Sequence, residues 1–340
     1  MRALCYSDLQ ATSGHEQCYH DPAKPLQQWR VEKFFERLHK IFVDYQCDCL
    51  WDLGDTTDDR NAVPLPVIDT VIAGISLFPK TDWNIKLIGN HEQFVKNTRV
   101  NIGKLFKGHF EIVEDCEVFE TEALQIICCS YPENDKNVAA WINEQRTNSM
   151  LSLLLGHFQV AGAQQSGGTA LTGVDKHCVE WVDLGLLGHI HKPQRVCANV
   201  HYVGSPFQQH WGEKGEEKRV AVVDTSNLEV LWVPMKDFPA YREISFEEFA
   251  KMGGNHGEDR FKVLLRSPEE SAQFYRHKHA HQAVPVYEYT PQEEAKKTSA
   301  VSWERDEVFR RYLERNPPGE RNIPVSTQDM IDFGLEIANG

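Results

Sequence analysis

The sequence predicts an α/β fold with a largely parallel or mixed sheet, on three observations. Short apolar runs recur through the first 190 residues, and four of them stop at a glycine followed by Asp, Asn or His: Gly54-Asp55, Gly89-Asn90, Gly156-His157 and Gly188-His189. Stretches with apolar residues at helical spacing separate the first three runs. No run approaches the ~20 apolar residues that a membrane span needs.

Residues 2–7 form the first strand candidate and lead into Asp8-Leu9-Gln10. Residues 26–46 follow, with Phe34, Phe35, Leu38, Ile41 and Phe42 on one face of an expected amphipathic helix. The run Cys49-Leu50-Trp51-Asp52-Leu53 then breaks at Gly54-Asp55, so Asp55 is expected at the mouth of the sheet rather than in its core. A second helix is expected over 65–78, and strand 85–88 delivers Gly89-Asn90-His91-Glu92. Further on, strands are expected at 110–113 and 124–130 and a helix at 135–150. Runs 153–155 and 184–187 reach Gly156-His157 and Gly188-His189-Ile190-His191, with a Gly-rich loop at 161–173 between them. Strands at 194–203, 219–224 and 229–233 complete a first domain, 1–235. The Pro-flanked stretch 234–239 marks a boundary. A strand-helix-strand unit (259–266, 268–277, 284–289) then gives a small α+β domain, 240–292, and helices at 302–315 and 326–338 give a terminal segment, 300–340.

With 340 residues, 41% hydrophobic and 25% charged, the chain suits one large globular domain plus a smaller one. It reads as soluble and cytoplasmic, without a signal peptide or membrane association. The formal charge of -14 argues against general adhesion to nucleic acid, although bound cations could still attract phosphate. Nine cysteines without a CxxC pair, mostly inside apolar runs, read as buried reduced thiols.

The chemistry lies in Asp8, Asp55, Asn90, His157, His189 and His191. Two divalent cations ~3.5–4 Å apart can share a hydroxide and act on phosphate, given a carboxylate between them and N or O ligands outside. Asp55 is the expected bridge. Asp8 and His191 fall to one cation, and Asn90, His157 and His189 to the other. A donor set of carboxylate, imidazole and amide without thiolate favours Mn, Fe, Mg or Zn. His91, next to a ligand, is expected to face the substrate as general acid.

In order, Asp8-Leu9-Gln10, Gly54-Asp55-Thr56-Thr57-Asp58, Gly89-Asn90-His91-Glu92, Gly156-His157 and Gly188-His189-Ile190-His191 resemble the five metal motifs of the calcineurin-like metallophosphoesterases. The stretch from Tyr202 to Gln209 resembles the segment that follows the last motif in SbcD-type DNA exonuclease subunits, short phage versions above all. The resemblance implies a four-layer sandwich of two mixed sheets between helices, with a small α+β cap and terminal helices. It also implies two divalent cations, Mn2+ first and Mg2+ as the alternative, and hydrolysis of DNA phosphodiesters as exonuclease or endonuclease in repair and recombination. The partners it implies are an SbcC-like ATPase of the SMC family and a second copy of the chain. Phosphatase or nucleotide phosphodiesterase activity is the alternative, and a scaffold with a weakened site is a third.

Two positions depart from the family pattern. Gln10 stands where the first motif usually has His, and is either a weak carbonyl ligand or no ligand. Asp58 stands where some nucleases of the family carry a further His, and is either a substrate-side group or a capping or supporting carboxylate. His15, His20, His201, His210, Arg99, Lys104 and Lys107 read first as solvated side chains, with roles at the site rim or on a DNA backbone as the alternative.

Overall fold

The computed structural model describes residues 1–14, 24–60, 62–94, 100–147, 149–252, 258–277, 280 and 283–288. In chain order its main elements are β1 (Arg2–Tyr6), α1 (Leu26–Asp44), β2 (Cys49–Asp52), α2 (Leu65–Ile75), β3 (Ile85–Leu87), β4 (Glu111–Val113), β5 (Cys116–Glu120), β6 (Leu124–Cys129), α3 (Asp135–Glu144) and β7 (Leu151–His157). They continue with β8 (Leu184–Gly188), β9 (Gln194–Cys197), β10 (Val200–Tyr202), β11 (Arg219–Asp224), β12 (Glu229–Pro234), β13 (Tyr241–Ser245), α4 (Phe246–Lys251), β14 (Arg260–Leu265), α5 (Pro268–Arg276) and β15 (Ala283–Tyr287).

Two mixed six-stranded sheets carry the fold, in the orders β12-β11-β1-β2-β3-β4 and β5-β6-β7-β8-β10-β9. Each contains a run of four parallel strands: β1 through β4 in the first, and β6, β7, β8 and β10 in the second. Every strand that leads to an expected ligand therefore ends on the same edge of its sheet. The strands' two-residue period sorts their side chains into separate cores. Ala3 and Cys5 of β1 join Trp51, Leu87, Ile126, Leu153 and Leu186 between the sheets, while Leu4 and Tyr6 turn to Phe34, Phe35, Leu38 and Val71 of α1 and α2. On the far side Ile127, Leu154 and Leu187 pack against Val138 and Ile142 of α3 and against Val160 and Val174 of the following loop. Helices, sheet, sheet and helix give the four layers expected, with both faces of the central strands buried. This double burial makes their sequences continuous apolar runs.

A third sheet, β13-β14-β15, is all parallel and has its own small core of Phe249, Phe261, Val263, Leu265 and Phe274. A capping box between Ser245 and Glu248 starts α4.

Several local expectations change. The third helix stops at Glu144 rather than 150, and the run 194–203 splits into β9 and β10, which pair antiparallel across a tight turn. β5 and β13 were not expected, because both are half-exposed edge strands carrying charged residues. The helices expected at 302–315 and 326–338, with the whole segment 300–340, lie outside the described residues, as do His15, His20 and Arg99. Among the described residues no helix is long and apolar enough to cross a membrane.

The α1–α2 contact is close at Gly74, where an added Cβ would lie 2.1 Å from the Phe35 ring. Gly74→Ala should therefore destabilise the protein by about 1–2 kcal/mol in urea titration, because overpacking outweighs the helix propensity gained. Leu65→Ala, at a side chain 79% exposed on the same helix, should change stability by no more than about 0.5 kcal/mol.

Candidate metal centre

The edges where the parallel strands end meet at one cleft. Asp8 follows β1, Asp55 follows β2 and Asn90 follows β3, while His157 ends β7 and His189 and His191 follow β8. The backbone is bent at this point: Asp8, Gln10, Asp55 and His189 all have positive φ (53, 46, 55 and 80°), four of the six such non-glycine residues among those described. Left-handed backbone at bulky residues costs about 1–3 kcal/mol each and persists where surrounding contacts enforce it.

Those contacts can be traced. The N–H groups of Asp8 and Gln10 donate to the carbonyls of Gly54 and Asp55 at 3.0 and 2.8 Å, locking the first loop to the second. Asp55 Oδ1 accepts from the His91 N–H at 2.8 Å. Gly89 leaves room for this carboxylate, since a Cβ there would meet Asp55 Oδ1 at 2.0 Å. Gly54, at φ 96°, lies against His157 and Gly89 in the same way. Across the sheets, the His189 N–H donates to both oxygens of Asp8 at 3.1 Å, and Ser7 Oγ donates to Asp8 Oδ2 at 2.6 Å.

His157 and His191 are each oriented by a fixed acceptor, which sets which nitrogen is free, whereas both ring nitrogens of His189 have partners. His157 Nδ1–H donates to the Leu53 carbonyl at 2.6 Å, so Nε2 faces Asp55 Oδ2 at 3.3 Å without an aligned hydrogen bond. His191 Nδ1–H donates to Glu213 at 2.8 Å and turns Nε2 toward Asp8 Oδ1, 4.0 Å away. His189 Nδ1 lies 2.6 Å from Asn90 Oδ1, and the Gln159 amide donates to its Nε2 at 2.9 Å. Tyr131 packs its ring 5.3 Å from the ring of His189.

The donor set fits a hard or borderline divalent cation. Asp55, His157 and His189 bring one ligand atom each within 4.8 Å of one another, and His157 Nε2 is a wholly buried nitrogen without a hydrogen-bond partner. A cation between it and Asp55 would satisfy both. Charge follows the same geometry. Burial would raise the Asp55 carboxyl, but His157 beside it outweighs that and holds the group well below the usual carboxylate range. Burial and the neighbouring His157 hold His189 neutral, with a pKa pushed down to about 3. Gln10 joins through its main chain. His191, His210 and Glu213 form a second cluster, but there Lys218 already neutralises Glu213 at 2.8 Å.

His91 stands at the rim, its side chain 31% exposed. Its Nδ1–H donates to Asp58, with the carbonyl and Oδ1 both 2.9 Å away. That bond raises its pKa to about 9, so the ring carries a proton at neutral pH. Asp58 thus contacts the His91 ring through both its main chain and its carboxylate. Of the other histidines weighed, His201 packs on Trp232, 5.4 Å between ring centroids, and His210 reaches Glu213 at 3.1 Å.

Sequence reasoning missed the floor of the site. Lys86 Nζ is fully buried between Asp52 at 2.8 Å and Glu92 at 2.7 Å. Glu92 in turn accepts from the N–H groups of Gly89, Asp55 and Thr56 at 3.0, 3.1 and 3.3 Å. The available signal was an Asp and a Lys on neighbouring apolar strands, and the two are directly paired in register. Gln209 was also missed. Its side-chain amide donates to the Asp8 main-chain carbonyl at 2.7 Å, while its main-chain carbonyl accepts from the Tyr241 hydroxyl of β13 at 2.8 Å.

Lys86→Met leaves two carboxylates buried against each other and should cost about 3–5 kcal/mol of unfolding free energy. Chemical denaturation measures it, and a loss within about 0.5 kcal/mol would show that the cluster bears no load.

No family model and no curated protein matches the sequence. Among solved structures the chain is similar to an archaeal phosphodiesterase, with 13% identity over 69% of this chain and 99% of that one and a TM-score of 0.36. It is similar to a dimetal phosphatase from Danio rerio at 10% identity, over 69% and 99%, with a TM-score of 0.44. It is also similar to the calcineurin-like phosphoesterase YfkN from Bacillus subtilis at 13% identity, over 70% and 91%, with a TM-score of 0.41. Likenesses of this size carry no functional conclusion, which rests on the cleft itself.

Proposed function

We propose that the chain is a two-cation phosphoester hydrolase. The observation that carries the reading is the buried Nε2 of His157 facing Asp55, with His189 and Asn90 alongside. Asp8, Asp55, Asn90, His157, His189 and His191 would hold the cations, Mn2+ or Mg2+. Bound there, the cations supply Lewis-acid charge for a phosphoryl oxygen and a nucleophile at neutral pH. The chain's own residues do the rest. Glu213 and the Leu53 carbonyl fix the imidazole orientations, and Glu92 fixes the Asp55 loop. His91, oriented by Asp58, gives its proton to the leaving oxygen, which an alkoxide leaving group requires.

The substrate we infer is the phosphodiester of DNA, in an SbcD-like subunit working with an SMC-type ATPase and a second copy of itself. Support for this comes from the likeness of the segment from Tyr202 to Gln209 to SbcD-type subunits. A second reading, a phosphatase or nucleotide phosphodiesterase acting on small substrates, is favoured by the net charge of -14, which repels an extended polyanion.

Calorimetric titration with Mn2+ should give two cations in the wild type and fewer in His157→Ala. A wild-type stoichiometry below two would favour the scaffold reading. Asp55→Asn should abolish turnover, whereas His91→Asn should keep both cations and lose turnover by about 100-fold or more. Equal rates for His91→Asn and wild type would remove His91 from the chemistry. In a panel of linear DNA, nucleotides and nitrophenyl phosphoesters, preference for DNA supports the nuclease reading, and preference for the small esters supports the second.

A further inference from the structure

β5 and β6 run antiparallel with Cys116 directly opposite Cys129. The Ser130 N–H donates to the Asp115 carbonyl at 2.8 Å and the Thr121 N–H to the Leu124 carbonyl at 2.9 Å, which identifies 115/130 and 121/124 as hydrogen-bonded pairs. By the alternation of an antiparallel ladder, 116/129 is a non-hydrogen-bonded pair, where opposed Cα atoms approach to ~4.5 Å. That separation lies within the ~4.4–6.8 Å that a disulfide spans.

The side chains confirm the pairing. Cys129 is wholly buried in the outer core of the second sheet, and Cys116 packs against that core while remaining partly exposed. Cys128, one residue back, turns the other way into the core between the sheets. The strand ladders set no other two of the described cysteines opposite each other. Cys116 is the more exposed of the two, so its sulfur is the accessible one, while burial, with the Cys116 thiol alongside, pushes the Cys129 thiol well above its ordinary pKa.

We infer that Cys116 and Cys129 are a thiol pair that closes reversibly as a cross-strand disulfide, with hydrogen peroxide as the oxidant and a dithiol, itself oxidised to a disulfide, as the reductant that reopens it. The peroxide transfers one oxygen to Cys116 Sγ, forming a sulfenic acid, and its other oxygen leaves as water. Cys129 Sγ then attacks the Cys116 sulfur. The S–S bond forms, the S–O bond breaks, and the oxygen leaves as a second water with the Cys129 thiol proton. Two thiols and one hydrogen peroxide thus give one disulfide and two waters. The bond would join the edge strand β5 to the strand that leads into the site. Just after Cys129, Ser130 Oγ accepts from the Ile88 N–H and the Tyr131 N–H donates to the Ile88 carbonyl, both at 2.8 Å.

The test treats the folded, reduced chain with limiting hydrogen peroxide, alkylates the remaining thiols, and maps the peptides by mass. The expected result is one cross-linked 116–129 peptide lacking two hydrogens, released by dithiothreitol, and a thermal midpoint raised in the oxidised protein. Cys116→Ser and Cys129→Ser should each abolish both. Cys116→Ser changes a partly exposed edge position and keeps the test decisive if the buried variant folds poorly. Sulfinic acid at Cys116 with Cys129 still alkylatable, or a link from either residue to another cysteine, overturns the inference.

Discussion

The ammonium of Lys86, sealed beneath the cleft, is the interaction on which the site depends. It holds Asp52 and Glu92 at hydrogen-bond distance with all three side chains fully buried, and the Tyr6 and Thr56 hydroxyls and the Gly54 N–H also donate to Asp52. A buried ionic cluster of this kind adds little net stability over an apolar core, because desolvation offsets the Coulomb attraction. What it gives here is position. Held by Lys86, Glu92 accepts three backbone N–H groups, and all three belong to the loops carrying Asp55 and Asn90.

Strain and support are distributed in the same way. Asp8, Gln10, Asp55 and His189 sit in left-handed backbone that their side chains disfavour, and each is restrained by main-chain or carboxylate hydrogen bonds from another loop. The loops lock one another across two sheets, which turns weak local preferences into one shared geometry. The same arrangement explains the glycines flanking Asp55. At 54 and 89 two chain segments pass closer than any Cβ allows.

Much of the cleft was legible from sequence because a parallel strand buried on both faces leaves a continuous apolar run, and its end is marked where glycine and a polar ligand appear together. Asp55, Asn90, His157 and His189 are all announced in this way, and the structure brings them within reach of one another. Lys86 was not legible, since one lysine inside Ile85–Leu87 looks like a solvent-facing position until the partner strand is known. The contacts of Glu213 and Gln209 escaped for another reason: both reach the site from a loop more than 200 residues after Asp8, and although Gln209 ends the SbcD-like stretch, nothing in that stretch marks which side chain approaches. β5 and β13 were missed because edge strands carry charge and lose the alternation that identifies inner ones.

The strut from Tyr241 through Gln209 to Asp8 has a consequence for anyone recombining such proteins. The small parallel sheet looks like a detachable cassette, with its own core and a proline-flanked joint. Its first residue nevertheless ends a relay that touches the main-chain carbonyl of Asp8. A chimera that kept the outline of the cassette but started it with a residue unable to donate there would be well folded and mistuned at the far end. The seam is the part to inherit intact.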